Sequence, residues 1–133
     1  MADAGRRWIS LAVVVFCALG CGPSGPPLFK VTGEVTFDGR PVEDGEILFI
    51  AADKESGPEV GWIKNGAYEL HARVGKKRVE IRASRAVPGK VNPMGAVYAD
   101  YIPRRYNAET TLEAEVRAEG ANRFDYGLRS GRE

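Results

Sequence analysis

The chain has 133 residues, enough for one domain with a real core and too few for two ordinary ones. Its formal net charge is +1, with 28% charged and 44% apolar residues. That lacks the basic excess of a nucleic-acid binder and is not the composition of a generally disordered chain. Its 16 glycines and 8 prolines ask for many turns, as in an all-β domain.

Residues 1–20 have the three parts of an export leader. Arg6 and Arg7 give a positive start, residues 8–19 are apolar except for Ser10, and small residues then meet Cys21. An apolar run of about a dozen residues is too short to span a hydrocarbon core of roughly 30 Å and suits a cleaved signal segment. Ala18-Leu19-Gly20-Cys21 resembles a bacterial lipobox, in which the cysteine is acylated and becomes the first mature residue; Ala18 stands where such boxes usually carry Leu. The resemblance implies that Cys17 leaves with the leader and that Cys21 is the lipid attachment. The other readings are plain secretion with cleavage near Gly20 and a disulfide between Cys17 and Cys21, which an apolar helical leader houses poorly. A CxxxC metal site lacks the second ligand pair that zinc needs. Residues 21–28 follow as a Gly- and Pro-rich tether. Loss of Asp3, Arg6 and Arg7 with the leader balances the two signs of charge. Acyl chains, at about 0.8 kcal/mol per buried CH₂, would then hold the protein at a membrane in place of electrostatic attraction.

From residue 28 onward the apolar period is two rather than 3.6. In FKVTGEVTFDGRPV, Val31, Gly33, Val35 and Phe37 alternate with Thr32, Glu34 and Thr36, a half-buried strand ending at the turn dipeptide Asp38-Gly39. GEILFIAAD is more apolar and reads as a central strand. EVGWIKNGAYELHARV makes two strands about Asn65-Gly66, the clearest hairpin signal in the chain. KKRVEIRASR sets Val79, Ile81 and Ala83 against charge. TTLEAEVRAEG does so with Leu112, Ala114 and Val116, and NRFDYGLRS alternates Phe124, Tyr126 and Leu128. Seven strands and no amphipathic helix predict a β-sandwich over residues 29–129, with residues 130–133 as a tail. Residues 86–108, with three prolines and two glycines, are expected to be irregular: a functional loop, or a crossover from one sheet to the other.

Two blocks carry a resemblance. VTGEVTFDGRPVEDGEILFI is similar to the opening of the carboxypeptidase regulatory-like, or transthyretin-like, domain. With YIPRRYNAETTLEAEVRAEGANRFDYGL and the intervening hairpin, the arrangement resembles planctomycete-type small lipoproteins bearing that domain. The matching positions are Pro103, Tyr106, Asn107, Thr110 or Thr111, and then Asn122, Phe124, Tyr126 and Leu128. The resemblance implies a seven-stranded Greek-key sandwich of prealbumin type, membrane-anchored through the lipid on the periplasmic or outer side of a bacterial cell envelope. It implies no activity, and fold alone does not supply one.

Chemistry-bearing residues are sparse. Hydroxyisourate hydrolases of this fold need several histidines and a C-terminal Tyr-Arg-Gly-Ser. This chain has one histidine, His71, and ends with Tyr126, Arg129, Ser130 and Gly131 in another order. Intradiol dioxygenases need two His and two Tyr on iron, which one histidine cannot supply. His71 is expected at an edge or in a loop. Glu43, Asp44 and Glu46, with Asp53 and Glu55, lack EF-hand spacing and read as solvated turn carboxylates, so no metal and no cofactor is expected. Tyr98, Tyr101, Arg104, Arg105 and Tyr106 form the candidate ligand surface. Tyrosine rings stack on sugar faces and Arg forks bind carboxylates; the competing reading packs the tyrosines onto a sheet. Trp62 is expected in the core, with a sugar-stacking platform as the competing reading. These observations favour a non-catalytic envelope protein of structural, adhesive or ligand-capturing role, with a cell-wall, polysaccharide or protein partner and no nucleic acid. The alternative is a carbohydrate- or small-molecule-binding module using residues 86–108.

Overall fold

The two-residue period becomes strands with one dry face. The computed structural model describes residue 20 and residues 25–53 and 55–131; leader residues 1–19, Cys17 among them, and Cys21 lie outside the described residues. The described residues hold eleven strands: β1 Phe29–Phe37, β2 Arg40–Pro41, β3 Asp44–Ala51, β4 Glu59–Lys64, β5 Ala67–Ala72, β6 Gly75–Arg82, β7 Ser84–Asn92, β8 Gly95–Asp100, β9 Glu113–Val116, β10 Asn122–Arg123 and β11 Tyr126–Leu128. The one helical element among them is a 3₁₀ turn at Arg104–Tyr106. The all-β expectation holds, and no helix among the described residues is long and apolar enough to cross a membrane.

Most strands belong to one curled, mainly antiparallel sheet in the order β10-β1-β5-β4-β3-β6-β9. The short β2 pairs with β1 antiparallel, and β10 and β11 run parallel to β1. The sheet's two ends are consecutive in the chain, and side chains bridge them. Asn122 accepts from the Arg117 N–H at 2.9 Å and donates to the Arg117 carbonyl at 2.8 Å, doing the work of a missing strand pair.

The inner face is the core. Val31, Val35, Ile47, Phe49, Ile63 and Ile81 are fully buried, each contributing about 1.5–3 kcal/mol by leaving water. The hairpin signals hold: Asp38 (φ 50°) with Gly39 (φ 80°), and Asn65 (φ 49°) with Gly66 (φ 84°), are two-residue turns whose left-handed backbone matches the strand twist. β3 is central, between β4 and β6, as its apolar run predicts.

Several expectations need correction. Residues 84–100 are not irregular. They form an antiparallel ribbon, β7 with β8, as a separate two-stranded sheet. The Pro88-Gly89 pair sits in a register shift between Ala86 and Val91, where a missing N–H and a positive φ (73° at Gly89) do no harm. The last expected strand is two, broken at Phe124 and Asp125, because Asp125 turns outward to accept from the Glu34 N–H at 2.8 Å. His71 is on β5, between β1 and β4, and faces solvent opposite Lys30 rather than sitting at an edge.

Candidate functional site

β1 begins paired with Ala72, at the far end of β5 from the Asn65-Gly66 turn. The ribbon leaves β6 just after Arg82, which pairs with Glu46 near that turn. Entry of the chain and exit of the ribbon therefore lie at opposite ends of β1, whose nine residues span about 30 Å. At the ribbon end, an open cleft of about 1660 Å³ separates the ribbon from the outer face of the sheet.

One wall is the outer face of β3, β4 and β6. Alternation in β4 buries Gly61 and Ile63 and turns Val60, Trp62 and Lys64 outward. Trp62 is therefore 67% exposed and borders the cleft, contrary to the expectation of a core residue. Lys64 Nζ lies 2.6 Å from Asp44 Oδ1. Arg82 Nη2 lies 2.8 Å from Glu80 Oε2, and Arg82 Nη1 lies 3.9 Å from Glu46.

The other wall is the ribbon and its root. Tyr98, on β8, is 65% exposed and lines the cleft. Tyr101 follows β8 and closes the root: its N–H donates to the Ala83 carbonyl at 3.2 Å. Its ring meets Phe37 edge-to-face at 5.3 Å, and the Arg85 guanidinium lies 4.7 Å above it. Burial against Phe37 pushes the Tyr101 hydroxyl above its ordinary value, partly opposed by Arg85. At the floor, Asp38 accepts from the Ser130 N–H at 2.9 Å, and hydrogen bonding from Ser130 holds its carboxyl below the ordinary value.

The structure thus divides the five residues singled out from the sequence. Tyr98 and Tyr101 line the cleft, one free and one packed. Arg104, Arg105 and Tyr106 lie outside it, on the 3₁₀ turn. There Arg105 donates to the Arg129 carbonyl and stacks 4.8 Å over Tyr106, whose hydroxyl accepts from the Arg129 N–H at 3.1 Å. Arg104 faces Glu109 at 3.8 Å. Arg105 and Tyr106 strap the segment after β11 to the body. Sequence reasoning missed Lys64, Arg82 and Arg85 as cleft residues and misplaced Trp62. The signal was present in VGWIK, where Ile63 facing inward forces its neighbour outward.

No family model and no curated protein matches this chain. Among solved structures it is similar to a 9R-lipoxygenase from Cyanothece PCC8801, with 16% identity over 80% of this chain and a TM-score of 0.37. The chain spans 17% of that protein's length, and a likeness so slight carries no argument about fold family or activity.

Proposed function

We propose that this chain is a non-catalytic capture protein of the bacterial cell envelope, held by lipid on Cys21 and presenting a β-sandwich of prealbumin type. The family resemblance and the lipobox-like Ala18-Leu19-Gly20-Cys21 support the anchor and the topology. The observation that carries the capture role is the cleft between ribbon and sheet, bordered by two exposed aromatic rings from different elements, Trp62 and Tyr98. Large rings left in water at one groove are the signature of a surface awaiting a partner. The one histidine, His71, does not border the cleft, which leaves its carboxylates without an imidazole partner for acid–base work.

A lipid at Cys21 would place the Phe29 end of the body toward the bilayer. The cleft, at the other end of β1, would then face away from it. Fractionation tests the anchor: the wild-type chain is expected in the membrane fraction and Cys21→Ala in the soluble fraction. Equal partition of the two variants would contradict it.

A further inference from the structure

Resting on that reading of the cleft as a capture site, we infer that its occupant is a neutral polysaccharide strand seated on Trp62 and Tyr98. Both rings stand in water, at 67% and 65% exposure, and border the same groove. A pyranose offers an apolar C–H face for such a ring and a rim of hydroxyls that need donors and acceptors at its sides.

The charges around the rings decide against an ionic occupant. Three of the four cations that line the cleft are engaged: Lys64 with Asp44 at 2.6 Å, Arg82 with Glu80 at 2.8 Å, and Arg85 over the Tyr101 ring at 4.7 Å. Arg40 has no ion pair among the described residues, but five carboxylates, Asp38, Glu43, Asp44, Glu46 and Asp100, line the same cleft and outnumber the four cations. An anionic polymer would find Arg40 alone without a partner, would lie against the five carboxylates, and would have to break the other pairs to gain more. A hydroxyl need not, because paired carboxylates and guanidiniums keep spare lone pairs and N–H groups for it. An apolar protein partner would strip water from the same ion pairs, at a cost their attraction does not repay. The opening of about 1660 Å³ exceeds the roughly 300–1,000 Å³ of ordinary small-molecule pockets, which fits several sugar units better than one.

The test is calorimetric titration of the detergent-extracted full chain with cellohexaose, laminarihexaose and maltohexaose, and with a galacturonate hexamer as the anionic comparator. At least one neutral hexasaccharide is expected to bind. Its affinity should change less than about twofold between about 50 and about 500 mM NaCl. Trp62→Ala and Tyr98→Ala should each weaken it by about tenfold with no change in Tm, and Trp62→Phe should keep most of it. Three results would overturn the inference: no heat with any neutral hexasaccharide, affinity indifferent to both alanine substitutions, or binding of galacturonate alone that vanishes in salt. None of these bears on membrane partition, so failure of the ligand and failure of the anchor are separately visible.

Discussion

Gly33 shows how little room the inner face leaves. A Cβ there would lie 1.9 Å from the Phe124 carbonyl oxygen and 2.8 Å from the Tyr68 ring. Gly33→Ala is therefore expected to cost more than about 3 kcal/mol in denaturant unfolding, whereas Gly57→Ala, with open space around it, should stay within about 0.5 kcal/mol. The same contact explains Tyr68, whose hydroxyl donates to the Phe124 carbonyl at 2.6 Å from a buried ring. A second tight spot is ionic. Glu59 and Lys77 are both buried, at 3.2 Å, with Arg73 adding a 3.1 Å contact to Glu59. Glu59→Gln should cost about 3 kcal/mol or more by stranding Lys77, and Glu59→Gln combined with Lys77→Met should recover part of the loss. An equal or larger loss in the double variant would contradict that assignment. The residues of β1, β6 and β9 were legible from alternation alone. Trp62 was misread because its size outweighed its phase; Lys77 could not be read, because a lysine at an inward position is explained only by Glu59 from another strand.

At the scale of elements, the ribbon is the feature the sequence concealed. Pro88, Gly89, Pro93 and Gly95 punctuate it as a loop would, and only pairing across the Asn92-Pro93-Met94-Gly95 turn reveals strands. Its residues 86–99 carry a single charge, Lys90, in a chain that is 28% charged, and Val91, Met94 and Tyr98 are 80%, 96% and 65% exposed. The core residues at its base, Ala83 and Ile102, lie outside it. Replacing residues 86–99 with a two-residue turn between Arg85 and Asp100 should lower Tm by less than about 4 °C, while removing one wall of the cleft. A collapse in Tm would show that the ribbon supports the body. The hairpins at Asp38-Gly39 and Asn65-Gly66 were legible because their left-handed turns advertise themselves; β10 and β11 were legible as one alternating strand, but not their parallel pairing with β1, which leaves no local signature.

For the whole molecule, burial of phenols sets an alkaline limit. Desolvation raises the hydroxyls of Tyr68, Tyr101 and Tyr126 above the ordinary 10, that of Tyr126 to about 12. A group held neutral in the folded state contributes stability that is complete below its unfolded pKa and is lost as pH climbs toward the folded one. Tm should therefore hold up to about pH 10 and fall between 10 and 12; a flat profile across that window would contradict the burial of these rings. At the same scale, the opposed placement of the Phe29 end and the cleft gives the proposed anchor its meaning: a tethered body with its groove turned outward. The most direct measurement is intact mass and N-terminal mapping of the protein extracted from membranes. The account predicts a chain that begins at Cys21 and carries added acyl mass on it. An unmodified Cys21 thiol, or a chain that still begins at Met1, would contradict it.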